Sequence, residues 1–291
     1  MPAPADFPLK QAILILHFVR FFAKEVNCMK QRVISAVVLI AVCAACFPFE
    51  ISRVLLVGVV GILCAYEYLS NMKKIGINCT GWVLYMYLAV ELFLTLTHSG
   101  LMAYIAWFTI AIYLALFSGV LHHEVSGKGA LYTVAGLSYP CFPYALMMII
   151  SIRERWLTTF ALGCLSCWTC DSFALFGGML FGKHKLAPAV SPKKTVEGCI
   201  CGTAFSVLAG VIIHFISLRL QPIALLPCVV TAFACSIAGQ IGDLAESLLK
   251  RYIGVKDFSN LIPGHGGFFD RTDSLMFSVP TAYLCLYLFG L

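Results

Sequence analysis

Residues 198–218 read GCICGTAFSVLAGVIIHFISL, twenty-one positions without an Asp, Glu, Lys or Arg. A helix needs about 20 predominantly apolar residues to cross the ~30 Å hydrocarbon core of a bilayer, so this stretch reads as a membrane span. Working outward from it, comparable apolar runs lie at about 33–49, 51–70, 82–97, 101–121, 130–150, 157–181, 222–242 and 274–291, making nine in all. Composition points the same way. Of 291 residues 60% are hydrophobic and 12% charged, about half the ~25% charged of an ordinary soluble chain. Too few polar side chains remain to cover a surface in water, which excludes a soluble globule, and such apolarity equally excludes disorder. The expected class is an all-α integral membrane protein of about nine transmembrane helices.

An odd number of spans puts the termini on opposite sides. The first two runs abut at Pro48-Phe49-Glu50, which reads as a tight hairpin, and little more than His98-Ser99-Gly100 separates the third and fourth. Across the alternating loops, 16 of the 20 basic residues fall on one side and only Arg53, Arg153, Arg155 and Arg219 on the other. Because Lys and Arg accumulate on the cytoplasmic side, the N-terminus is expected in the cytoplasm and the C-terminus outside. The net charge of +6 is then a mark of topology and gives no ground for nucleic-acid binding.

Three regions follow. Residues 1–28 can form an amphipathic extension, with Lys10, His17, Arg20 and Lys24 on one side of a helical wheel; the alternative is a mis-assigned start, since Met29-Lys30-Gln31-Arg32 already supplies a charged flank. Residues 29–156 read as transmembrane scaffold, and residues 157–291 as a transmembrane catalytic region with cytoplasmic loops. The segment from Lys30 to Cys46 also has the look of a secretory signal, but the spans that follow make a first anchor the better reading. Most of the 14 cysteines lie in apolar runs and read as small hydrophobes. Cys164, Cys167 and Cys170 form a CxxCxxC run, yet with no His nearby they too read as interior thiols rather than a zinc site.

Seven of the 14 acidic residues lie from position 171 onward: Asp171, Glu197, Asp243, Glu246, Asp257, Asp270 and Asp273. Carboxylates beside membrane spans are costly and point to function. They fall in three clusters. The first joins Asp171, Lys183 and Lys185 to Ser191-Pro192-Lys193-Lys194-Thr195. An ordinary cytoplasmic loop explains the lysines, whereas the Ser-Pro-Lys-Lys-Thr placed just before a new helix suits phosphate binding. The second is Asp243, Glu246 and Lys250, which share one helical face; a solvated helix end with an intrahelical ion pair accounts for the latter two but not for Asp243. The third is Lys256-Asp257 followed by Pro263-Gly264-His265-Gly266-Gly267, with Asp270, Arg271 and Asp273 beyond. Acids from two helix ends, beside lysines and a glycine loop, suit a divalent cation with phosphate, and Mg2+ is the natural candidate.

The residues of the second and third clusters, Ser247, Lys250-Arg251, Lys256-Asp257, Pro263, His265-Gly266-Gly267, Asp270-Arg271 and Asp273, resemble the signature of the CTP:phosphatidate cytidylyltransferases, or CDP-diacylglycerol synthases. Lys183-His184-Lys185-Leu186-Ala187-Pro188 and the stretch Ser191–Gly198 are similar to the same family, so the likeness covers residues 171–273. Ser172-Phe173-Ala174-Leu175 departs from it, a small residue and then a tyrosine being expected after Asp171.

The resemblance implies that CTP and phosphatidate react to CDP-diacylglycerol and pyrophosphate, with Mg2+, at the cytoplasmic face of the inner membrane. By the family's pattern Asp243 and Asp270 are the expected metal ligands, with Glu246 and Asp273 as further ligands or supports. Ser191, Lys193, Lys194 and Thr195 are expected to bind the triphosphate, together with Lys183 and Lys185. Lys250, Arg251, Lys256 and Arg271 would neutralise phosphatidate or departing pyrophosphate, and His265 would contact a phosphate or orient a ligand. A homodimer is also implied. Other readings stay open at this point: a CTP-dependent polyprenol or phytol kinase, a cytidylyltransferase for a different lipid, and a membrane transporter of an anionic solute.

Overall fold

The computed structural model describes residues 31, 33–121 and 126–291; the amphipathic reading of residues 1–28 lies outside the described residues. In chain order the helices are α1 (Val33–Cys46), α2 (Glu50–Lys74), α3 (Gly81–Leu96), α4 (Leu101–Leu121), α5 (Gly127–Gly136), α6 (Phe142–Ser151), α7 (Trp156–Phe181), α8 (Val196–Leu220), α9 (Leu225–Ile253) and α10 (Phe269–Leu288). A π-helical turn, Leu137–Cys141, fuses α5 and α6 into one body. Pro140 sits in that turn, and the widened turn relieves the clash and missing N–H that a proline imposes on a regular helix.

Each of the nine apolar stretches falls on a helix or, for 130–150, on the fused body. Six helices among the described residues are long and apolar enough to cross a membrane by length and composition: α2, α4, the α5–α6 body, α7, α8 and α9. α1 and α3 are apolar but shorter. α10 begins five residues before its expected start, so that Asp270, Arg271 and Asp273 occupy its first turns. The chain is thus a helical, multi-pass membrane protein. One departure from all-α is an antiparallel hairpin between α7 and α8, β1 (Lys185–Ala187) and β2 (Ser191–Thr195), with Lys185 opposite Thr195 and Ala187 opposite Ser191.

Packing follows membrane rules. The outward faces carry large apolar side chains, such as Ile200, Leu208, Ile212 and Phe215 on α8 and Met102 and Val120 on α4, which is the surface lipid tails accept. Inside the bundle small residues meet instead. On α8, within the stretch that announced the fold, Gly198, Gly202, Ser206 and Gly210 recur every fourth position and are all buried. A Cβ at Gly202 would stand 2.5 Å from the Cys170 carbonyl on α7, and one at Gly210 would stand 2.6 Å from Ala232 on α9. In lipid, where apolar burial drives no association, such close backbone contact is what holds helices together.

A larger core of Tyr68, Met72, Leu84, Tyr87, Leu88, Met148, Phe258 and Phe269 ties the N-terminal helices to the loop before α10. At the other end Arg53, one of the four basic residues set apart by sequence, lies buried over the Trp156 ring at 3.8 Å and donates to the carbonyls of Phe47 and Ser151.

Candidate active site

The hairpin is held to the helix that follows it. Thr195 ends β2 and caps α8, its Oγ1 accepting the Gly198 N–H at 3.2 Å. Glu197, in the first turn of α8, accepts the N–H groups of Lys183 and His184 at 3.1 and 3.2 Å and meets His184 Nδ1 at 2.6 Å. At the far corner Arg251 Nε donates to the Val190 carbonyl at 3.2 Å, tying the hairpin to the end of α9. These contacts carry Lys185, Lys193 and Lys194 over a cavity of about 760 Å³ among α7, α9 and α10.

The cavity's inner wall is acidic. Asp243 and Glu246 stand one turn apart on α9, and Asp273 faces them from α10. Gly242 permits this approach, because a Cβ there would stand 2.5 Å from the Asp273 carbonyl oxygen. One carboxylate oxygen from each of Asp243, Glu246 and Asp273 lies within 4.8 Å of the others. Lys194 pairs with Asp243 across the cavity. Lys250 pairs with Glu246 Oε2 at 2.5 Å and with Asp270 Oδ1 at 3.1 Å. The remaining oxygen, Glu246 Oε1, is buried and has no hydrogen-bond partner among the described residues. A buried carboxylate oxygen left without a donor is costly. Three converging carboxylates with one such oxygen fit a hard divalent cation that takes a few carboxylates and completes its shell from phosphate and water.

Asp270 stands beside this trio and not in it. Its side chain is 3% exposed; Oδ2 accepts the N–H groups of Phe258 and Gly267, both at 2.9 Å, while Oδ1 receives Lys250. Asp270 thus lines the cavity while its Oδ2 holds the loop before α10 and its Oδ1 meets α9. The other expected residues divide similarly. Lys185, Lys193, Lys194, Thr195, Asp243, Glu246, Lys250, Asp270 and Asp273 line the cavity, whereas Ser191, Lys183, Lys256, His265 and Arg271 are not among its lining residues. His265 Nδ1 lies 2.8 Å from Ser35 Oγ on α1, and its carbonyl accepts Arg271 Nε at 2.7 Å, so these two residues shape the loop.

Asp171 does line the cavity, as do Gln240 and Cys199, which contact each other. Phe173, at the departure from the family's pattern, stacks on Phe205 of α8 with centroids 3.7 Å apart. An apolar side of the cavity is formed by Ala174, Leu175, Met179 and Leu186, and Leu175 and Met179 are 62% and 65% exposed. Outside the lining, and not singled out by sequence, Glu67 of α2 accepts backbone N–H groups from the start of α10. A carboxylate inside an apolar run is its one sequence signal.

The sequence profile described as "Cytidylyltransferase family" matches residues 30–289. The chain is 32% identical over 273 residues to the phosphatidate cytidylyltransferase of Bacillus subtilis, covering 90% of this chain and 99% of that protein. It is 31% identical over 264 residues to the Thermotoga maritima protein of the same name, covering 88% and 95%. With the Staphylococcus haemolyticus protein of that name it shares 43% identity over 120 residues, 41% of this chain and 45% of that one.

Proposed function

The chain belongs to the cytidylyltransferase family, and from that premise we propose that it transfers the cytidylyl group of CTP to phosphatidate, yielding CDP-diacylglycerol and pyrophosphate in phospholipid synthesis. The observation that carries this reading is 32% identity spread along nearly the whole of both chains to a protein named for that reaction.

In the step itself a phosphate oxygen of phosphatidate attacks the α-phosphorus of CTP; the new P–O bond forms as the bond to the β-phosphate breaks, and pyrophosphate leaves. The attacking oxygen is already an anion near neutral pH, so no strong general base is required and the barrier lies in bringing two polyanions together. Asp243, Glu246 and Asp273 would hold Mg2+. When bound, the ion supplies positive charge to the phosphate oxygens that gain negative charge in the transition state. Lys185, Lys193 and Lys194 bind the triphosphate from the hairpin side. Lys250, fixed between Glu246 and Asp270, presents its charge to the leaving pyrophosphate, and the apolar wall at Leu175 and Met179 admits the acyl chains from lipid.

For the membrane arrangement we propose nine spans, with α1, α3 and α10 added to the six long helices, a cytoplasmic N-terminus and the C-terminus outside. The cavity then faces the cytoplasm at the inner membrane. Lys73 and Lys74 at the end of α2, the hairpin lysines, and Lys250 and Arg251 at the end of α9 support that orientation, and residues 157–291 act as the catalytic region on the 29–156 scaffold.

The test is transfer of label from CTP by protein purified in detergent with phosphatidate and Mg2+. Label from the α-phosphate should enter lipid with release of pyrophosphate. Label entering lipid from the γ-phosphate would make the protein a kinase and refute the reading.

A further inference from the structure

We propose that Glu67 on α2 is a positioning residue for this reaction: its carboxylate holds the loop 258–268 and the first turn of α10, and thereby sets Asp270 and Asp273 at the cavity. The proposal rests on the cytidylyl-transfer reading above.

Glu67 is 0% exposed within a helix apolar enough to cross a membrane. Such a carboxylate is costly to bury unless it is fully hydrogen-bonded. Here its donors come from about 200 residues further along the chain. The Phe269 N–H donates to Oε2 at 2.8 Å, and the Phe268 N–H to Oε1 at 3.0 Å. The Ser259 hydroxyl donates to Oε1 at 2.5 Å. The two N–H groups belong to the start of α10, where a helix has no internal acceptors for them and its dipole favours an anion. Gly267 lies flat against the same carboxylate, since a Cβ there would stand 2.6 Å from Oε1 and 2.7 Å from Oε2.

One turn further along α2, Asn71 Nδ2 donates to the Phe258 carbonyl at 2.7 Å. A single face of α2 therefore grips both ends of the loop. From the other side Asp270 accepts the Phe258 and Gly267 N–H groups and holds Lys250. Glu67 and Asp270 thus clamp one loop between them, and Asp273 lies one turn beyond on the same helix. A shift of α10 would move Asp273 relative to Asp243 and Glu246, and displacements of about 1 Å cost on the order of 100-fold in rate.

The test is Glu67→Gln in the full-length protein in detergent. The amide keeps the shape but sets a donor against one of the backbone N–H groups. Three quantities are read: amide hydrogen exchange of residues 258–271, the Mg2+ concentration for half-maximal turnover, and the thermal midpoint. We expect exchange there to quicken about tenfold, half-saturating Mg2+ to rise about fivefold, and kcat to fall about tenfold. If Glu67→Gln does not assemble, Ser259→Ala removes one donor only and should move exchange and Mg2+ dependence the same way by about twofold.

Unchanged exchange and unchanged Mg2+ dependence in whichever variant folds would overturn the proposal. So would a loss of activity that disappears on cooling below the thermal midpoint with Mg2+ dependence unaltered, which is what a purely structural cap would do. A wild-type protein that transfers no cytidylyl group would instead refute the reaction, and the exchange measurement would still decide whether Glu67 anchors the loop.

Discussion

Lys250 on α9 reaches Asp270 on α10 at 3.1 Å while holding Glu246, one turn back on its own helix, at 2.5 Å. One ammonium therefore serves two carboxylates whose side chains are almost fully buried. Each of the three charges is tolerable only because of the others.

Replacing Lys250 by Ala is expected to destabilise the protein by about 3 kcal/mol, the typical cost of leaving a buried charge without its partner. At ~2–4 °C per kcal/mol for a chain of this size, the thermal midpoint in detergent should fall by roughly 6–12 °C, together with turnover. A midpoint within about a degree of wild type would mean that the carboxylates find other compensation.

The trio of Asp243, Glu246 and Asp273 and the clamp residue Asp270 should separate on mutation. Asp243→Asn and Asp273→Asn are expected to lower kcat by about 100- to 1,000-fold, roughly 3–4 kcal/mol of transition-state stabilisation. Asp270→Asn should cost thermal stability as well, because it loses a backbone acceptor and the partner of Lys250. Chelation with EDTA should abolish turnover, and Mg2+ should restore it with little change in helical circular dichroism. Turnover that survives exhaustive chelation would exclude a metal role for the trio.

Lys193→Ala should raise the KM for CTP about fivefold to tenfold with a smaller change in kcat, since a hairpin lysine helps bind the triphosphate in ground state and transition state alike. The difference should shrink in about 0.5 M salt as screening weakens the wild-type interaction. Steady-state kinetics with CTP varied at fixed phosphatidate decides it; an unchanged KM would remove Lys193 from the binding surface.

The packing stripe of α8 makes a prediction about assembly. Gly202→Val forces a side chain into the Cys170 carbonyl and should cost well over the ~1–3 kcal/mol typical of overpacking, leaving little monodisperse protein on size-exclusion chromatography in detergent. Ile212→Val on the exposed face should elute as wild type. Equal behaviour of the two would show that α8 tolerates separation from α7.

Legibility from sequence tracked the range of the interactions involved. The apolar helices were readable because a long apolar run is a local property, and the helix start after Ser191–Thr195 was readable in the chain itself, whereas the pairing of β1 with β2 was not. The small-residue stripe of α8 is a local pattern whose meaning depends on neighbouring helices being present to meet it. Asp270 was legible as a carboxylate of the site, with the metal-ligand role that the resemblance implies; that its oxygens also hold Phe258, Gly267 and Lys250 could not be read, because those partners are brought to it only by the fold. His265 and Arg271, equally prominent in sequence, are not among the cavity's lining residues: Arg271 donates to the His265 carbonyl, and the His265 ring meets Ser35.

Composition and pattern alone determined that lipid is the solvent of this chain, which segments are helical and where along it the charged chemistry lies, because hydrophobic run length and residue type act within one segment. Only the tertiary structure decided which carboxylates converge. Asp243, Glu246 and Asp273 meet through the close approach of α9 and α10 at Gly242, and Glu67 reaches the loop beside them from about 200 residues earlier because a buried carboxylate must find donors, and the N–H groups at the head of α10 supply them.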